Sequence, residues 1–155
     1  MSYASVFLFM LCYMVLPKTQ DTHFVSFDKD KSNVIWTLED KGKASLYFTI
    51  RDGFHIQDPN ASSEYLIPTT FRITSNHLTL EDSKYKFTPH TITFPDGSVL
   101  KTLEGTFVLT LSFSKKDMGK NQDALEGILD YQTCDERKCY FPRSLPIKVN
   151  LYPNE

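Results

Sequence analysis

Two cysteines carry the clearest chemistry in this chain. Cys134 and Cys139 are separated by Asp135, Glu136, Arg137 and Lys138, a C-x4-C spacing with four charges between the sulfurs. Four consecutive charged residues read as an exposed turn joining two strands, and a turn of that length can bring two Cα atoms within disulfide reach. Three chemistries fit such a pair. The first is a structural staple; closing a six-residue loop contributes about 2 kcal/mol in the chain-entropy model. The second is a metal site that recruits His23, His55, His77 or His90. The second cysteine knuckle and the H-x3-5-H spacing of zinc sites are absent, which counts against it. The third is a redox pair that exchanges with a partner's thiols. Spacing alone does not separate the first from the third.

Local charge distinguishes the two sulfurs. Exchange requires a thiolate, whose pKa follows its neighbours. Asp135 and Glu136 beside Cys134 disfavour ionisation, whereas Arg137 and Lys138 beside Cys139 favour it. Cys139 is therefore expected to be the better nucleophile. The opposing reading is that four solvated, screened charges have little net effect. No other catalytic set stands out. The chain has no G-x-S-x-G, no H-E-x-x-H and no glycine-rich phosphate loop. With a formal net charge of -2 and no basic run longer than two, it lacks the basic stripe of a nucleic-acid binder.

The elements that must position the cysteines read as short strands. Segments 33–38 and 44–50 are rich in β-branched and aromatic residues, and Leu46, Phe48 and Ile50 share a face. Segments 69–74, 78–80 and 84–88 continue the pattern. In 106–113, Phe107, Leu109, Leu111 and Phe113 alternate with Thr106, Val108, Thr110 and Ser112, the period of a half-buried strand. Segments 124–131 and 145–151 close the series. Turn signals at Asp40-Lys41-Gly42, Asp52-Gly53, Asp58-Pro59-Asn60, Pro95-Asp96-Gly97 and Lys116 to Gly119 separate these runs. The chain has 155 residues, one domain's worth, and 12 Phe and 8 Tyr are more than a disordered chain carries. The expected fold is all-β, an immunoglobulin-like sandwich of about seven to nine short strands. The immunoglobulin Cys…Trp…Cys spacing is missing, because Cys134 and Cys139 are too close to bridge two sheets.

Residues 6–16 form an uncharged apolar run of eleven, too short to span a membrane and the right length for the core of an export signal. No Lys or Arg precedes the run and no A-x-A site follows it. Residues 1–20 are read as a signal peptide or N-terminal anchor and 21–155 as the mature domain. Cys12 could be a lipoprotein cysteine, although Phe9, Met10 and Leu11 lack the small residue that lipoprotein cleavage prefers. Export would place Cys134 and Cys139 where disulfides persist.

The surroundings of the pair extend this reading. Tyr131-Gln132-Thr133-Cys134 and Cys139-Tyr140-Phe141-Pro142 resemble the Y-Q-x-C-(x4 or x5)-C-Y/L-P-P signature of the N-terminal extracytoplasmic domain of the thiol:disulfide interchange protein DsbD. Ile50-Arg51-Asp52-Gly53-Phe54-His55-Ile56 resembles that family's strand ending in Asp-Gly and an aromatic pair. Tyr65 to Thr69 resembles a segment of some branches. The likeness covers residues 24–151, with Phe141 standing where the family has its first proline. It implies a protein-disulfide reductase type of oxidoreductase in the periplasm or another extracytoplasmic space. Cys134 and Cys139 would be the catalytic pair, and the second cysteine would join partners in a mixed disulfide. It implies supporting roles for Phe54, His55, Tyr131 and Tyr140, and a cap loop over the cysteines near residues 94–103, where Phe94 is the only aromatic. It implies no cofactor and no metal. The partners would be other thiol–disulfide proteins, including a separate membrane or thioredoxin-like electron donor. His55 falls where the family has an aromatic beside the cysteine hairpin. An imidazole there could relay a proton or stabilise a thiolate; the plainer reading is an edge-strand histidine with a satisfied hydrogen bond. The rival from another class is a secreted, non-catalytic sandwich that binds a partner and carries a structural hairpin disulfide.

Overall fold

A computed structural model of the chain describes residues 23–37, 40–61, 66–93, 95–116 and 124–152. The export segment 1–20, Cys12, Tyr65 and Phe94 lie outside the described residues. Eleven strands occur among the described residues: β1 (Val25–Trp36), β2 (Lys41–Ile50), β3 (His55–Gln57), β4 (Thr70–Ile73), β5 (Leu78–Lys86), β6 (Pro89–Thr93), β7 (Val99–Leu103), β8 (Thr106–Lys115), β9 (Ala124–Tyr131), β10 (Thr133–Cys134) and β11 (Arg143–Asn150). All pairings are antiparallel.

Period-two patterning builds the core. Phe107, Leu109, Leu111 and Phe113 on β8 are fully buried and lie against Ala44, Leu46, Phe48 and Ile50 on β2. Leu125, Leu129 and Tyr131 supply the matching face of β9. Burying one such side chain contributes about 1.5–3 kcal/mol, so these three strands carry much of the apolar driving force. The fourth inward position of β9 is Gly127, where an added Cβ would stand 2.3 Å from the Phe71 ring and 2.9 Å from the Arg72 carbonyl oxygen. Only glycine leaves room for β4 to pack that closely.

The strands form three sheets, ordered β1-β2-β8-β5, β11-β9-β4 and β10-β3-β7-β6. The first two share the buried core, with β11 beside β1 and β4 beside β5 at their edges, which makes a sandwich. The third extends the layer at one end, because β9 passes through Gln132 directly into β10.

The all-β expectation holds, and the differences are local. Segments 78–80 and 84–86 belong to one strand, β5, which stops two residues short of the expected end and whose register shifts between Leu80 and Asp82. A bulge breaks the alternation there, so one strand reads as two. The first strand begins at Val25 rather than 33, through a charged stretch that pairs with β2 across a second irregularity between Asp28 and Asn33. Strands β3, β6, β7 and β10 were not expected. At two to five residues they are too short to show a period, and they raise the count from seven to nine to eleven. Residues 95–103 of the expected cap stretch form the turn and second strand of the β6–β7 hairpin, with Leu103 and Thr102 fully buried on β7. Among the described residues no helix is long and apolar enough to cross a membrane.

Candidate functional site

Two turns deliver the site. Strand β2 ends in Arg51-Asp52-Gly53-Phe54, closed by the Phe54 N–H donating to the Arg51 carbonyl at 3.1 Å. Gly53 takes φ +79°, a conformation that L side chains rarely adopt. The chain then enters β3, where His55 pairs with Cys134 and Ile56 with Thr133. The second turn is the cysteine hairpin. The Asp135 N–H donates to the Lys138 carbonyl at 2.9 Å and the Tyr140 N–H to the Thr133 carbonyl at 2.8 Å. Cys134 and Cys139 face each other across it and are joined by a disulfide, with Cα atoms 3.9 Å apart.

Asp135 organises the turn. Its Oδ1 accepts from the N–H groups of Arg137 at 2.8 Å and Lys138 at 2.9 Å, and its Oδ2 accepts from the Tyr140 hydroxyl at 2.7 Å. The Tyr140 bond, then the two backbone bonds, hold its carboxyl down at about 2, while the same bond raises the Tyr140 phenol. The carboxylate thus acts mainly as the acceptor that shapes the loop. Tyr140 also packs at a tilt against Phe24, with centroids 4.8 Å apart, and meets Phe54 edge-on at 6.0 Å. Lys138 Nζ lies 4.9 Å from the Tyr140 ring centre and Arg143 lies 4.9 Å from that of Phe24. Tyr131 is fully buried in the core. Of the expected supporting residues, His55, Phe54 and Tyr140 gather at the hairpin and Tyr131 anchors the strand that leads into it.

The two sulfurs have different surroundings. Cys134 is 2% exposed, whereas Cys139 is exposed. Phe141, two residues on, is 91% exposed. A cleft of about 850 Å³ opens beside the hairpin, lined on one side by Phe54, His55 and both cysteines and on the other by His90, Ile92, Leu100 and Glu104. His90 Nδ1 and Glu104 Oε2 are 3.1 Å apart. His55 is 7% exposed, and burial lowers its pKa, opposed by the charges of Glu104 and Asp135 and reinforced by His90. Its strand lies between β10 and β7, so the edge-strand expectation for His55 is corrected. Among the described residues no group of three or more His, Cys, Asp or Glu is arranged to hold a metal ion.

Sequence reasoning missed the polar residues behind Cys134. The buried polar residues among those described are His55, Gln57, Thr69, Thr102 and Thr133. Gln57 Nε2 lies 3.1 Å from Cys134 Sγ, Thr69 donates to the Gln57 carbonyl at 2.6 Å, Thr102 pairs with Gln57, and Thr133 adjoins Cys134. Buried polarity is costly and is rarely gathered in one place without a reason. The only sequence signal was the polar content of short segments whose burial no periodicity revealed.

Comparison with solved structures places this architecture. The N-terminal periplasmic domain of ScsB from Proteus mirabilis superposes with a TM-score of 0.57 at 15% identity, over 77% of this chain and 44% of that one. The chain thus spans less than half the length of that ScsB domain. The DsbD N-terminal domain of Neisseria meningitidis in its reduced form aligns at a TM-score of 0.46 and 12% identity, over 72% of this chain and 78% of that one. The yeast GGA1 GAE domain aligns at 0.44 and 10%, over 84% and 96%. No protein-family profile matches the chain, and no curated protein matches it. The ScsB likeness shows the fold alone, and the expected all-β, immunoglobulin-like sandwich holds.

Proposed function

We propose that this chain is an extracytoplasmic thiol–disulfide interchange domain, residues 21–155 behind an N-terminal export segment. It passes reducing equivalents to partner proteins through Cys134 and Cys139. The observation that carries the reading is the asymmetry of the disulfide: a hairpin presents one exposed sulfur, Cys139, while its mate Cys134 is buried against polar groups. A purely structural staple has no need of a polar pocket behind one sulfur. The ScsB domain that shares this fold is an N-terminal periplasmic domain, which supports the extracytoplasmic part of this reading.

The chemistry follows from the geometry. In the dithiol form, the Cys139 thiolate attacks a partner disulfide and forms a mixed disulfide. Cys134 then attacks the Cys139 sulfur and releases the partner's thiol, leaving the domain oxidised. The reverse sequence reduces the domain at the expense of a thiol-bearing donor. Arg137 and Lys138 favour the Cys139 thiolate, and the imidazole of His55, kept neutral by burial opposite Cys134, is available to take the Cys134 proton. The exposed ring of Phe141 offers an apolar contact beside the reactive sulfur. Partners of this chemistry are thiol–disulfide proteins, among them a membrane-bound or thioredoxin-like donor.

The reduction potential tests the assignment against the rival, a binding module with a structural disulfide. An exchange-active pair should equilibrate with glutathione-range buffers. A potential below about -300 mV would mark a structural bridge and reject the proposal.

A further inference from the structure

We propose that Gln57 is a catalytic residue of the disulfide, the hydrogen-bond donor that stabilises Cys134 as the leaving sulfur. The inference rests on the interchange reading above and adds to it the group that acts on the buried sulfur.

The position follows from the strands. Cys134 on β10 is paired with His55 on β3, and residues two apart on a strand share a face, so Gln57 lies on the same face as Cys134. Its side-chain Nε2 is 3.1 Å from Cys134 Sγ. Gln57 is wholly buried, and its Oε1 is buried without a hydrogen-bond partner. An orphaned amide oxygen is a cost in the resting state that an apolar side chain of the same size would avoid. The arrangement is explained if the other end of the amide is needed. A disulfide sulfur carries no proton, so only the N–H end of the amide can face it with a hydrogen bond.

When a donor thiolate attacks Cys139 Sγ, a new S–S bond forms between donor and Cys139. The Cys134–Cys139 bond breaks, and its electron pair leaves on Cys134 Sγ. The donor's second thiol then displaces Cys139, so the donor ends as a disulfide and the domain as a dithiol. Negative charge thus develops on a sulfur that is 2% exposed and has almost no water to solvate it. Burial of this kind opposes a thiolate. A donor already aimed at that sulfur strengthens as the charge grows, because hydrogen bonds to an ionised acceptor are roughly twice as strong as neutral ones. This is the logic of an oxyanion hole applied to a leaving sulfur. Once Cys134 is protonated, the same amide turned over offers Oε1 to the S–H, so one side chain matches both protonation states.

The test uses the full chain in its disulfide form. The second-order rate of reduction by a monothiol, 2-mercaptoethanol, is measured for the native protein and for Gln57→Leu, Gln57→Met and Thr69→Val. Loss of the donor should slow reduction about 10- to 100-fold in both Gln57 variants. The Cys134 thiol in a Cys139→Ser background should titrate at higher pH when Gln57 is replaced. Thr69→Val removes the bond to the Gln57 carbonyl but keeps the amide, so it should lower the melting temperature while leaving the rate within about two-fold. Reduction of both Gln57 variants at the native rate would overturn the inference while leaving the interchange reading intact. An equal slowing by Thr69→Val would overturn it too, by showing that general loosening suffices. If the native disulfide itself resists the monothiol, it is the interchange reading that fails.

Discussion

If Cys134 and Cys139 are examined one at a time, they should react at very different rates. Cys139→Ser leaves Cys134 alone, buried behind the hairpin; Cys134→Ser leaves Cys139 alone at the surface. A reagent reaches Cys134 only after the hairpin lifts. That motion breaks the Asp135 N–H to Lys138 carbonyl bond, the Tyr140 N–H to Thr133 carbonyl bond and the Gln57 contact to Cys134 Sγ. At about 1 kcal/mol net for each of these three interactions, opening costs about 3 kcal/mol, which lowers the reactivity of Cys134 roughly 100-fold relative to an open thiol. The assay is the rate of reaction with 5,5′-dithiobis(2-nitrobenzoate), normalised for each variant to its rate in denaturant so that intrinsic thiol acidity cancels. The same variants should differ in trapping. Cys134→Ser should accumulate a mixed disulfide with thiol-bearing partners on a non-reducing gel, and Cys139→Ser should trap little. Both should fold, because losing a six-residue loop closure costs only about 2 kcal/mol. Normalised rates within about five-fold of each other would refute the reasoning, since exposure would then not decide which sulfur is reached.

Other expected outcomes test separate parts of the structure. Gly127→Ala drives a methyl into the Phe71 ring and the Arg72 carbonyl and should lower stability by about 1–3 kcal/mol, measured by denaturant unfolding. Asp135 has its carboxyl held at about 2 in the folded chain against an ordinary value of 3.8. Its support of the hairpin is therefore fully present above pH 3.8 and is lost as pH falls through about 2, and the amide chemical shifts of Arg137 and Lys138 in the folded chain should move around pH 2 and stay flat in Asp135→Asn. His55 has its pKa lowered by burial, with Glu104, His90 and Asp135 as the charged groups facing it. Below the unfolded value of about 6.5 the unfolded chain takes up the proton first, so stability should fall as pH drops below that point until the folded imidazole also protonates. His55→Gln should flatten that slope in denaturant titrations below about pH 6.5.

The parts of the fold legible in the sequence are those whose cause is local. Alternation along β8 and β2 needs only neighbours two residues apart, so residues 106–113 and 44–50 declare a buried face before any partner strand is known. The cysteine hairpin is equally local. Its two sulfurs lie five positions apart around four charges, and Asp52-Gly53 announces the turn that leads into Phe54 and His55. Strand β5 reads as two pieces in the sequence because a bulge breaks the period that identifies a strand.

What only tertiary structure decided is which residues stand around the sulfurs. Gln57 is 77 positions from Cys134 in the chain and touches its Sγ because β3 and β10 pair. His90 and Glu104 reach the cleft because β7 pairs with β3 and β6 pairs with β7. The contrast between a buried Cys134 and an exposed Cys139 is likewise a property of the packed hairpin, since the adjacent charges report on solvated neighbours and not on burial. A strand of three residues is too short to carry a periodic signal, and its pairings close loops of many residues. The free energy that selects those pairings comes from the core formed elsewhere in the chain, so the sequence around Gln57 holds no local record of the sulfur it faces.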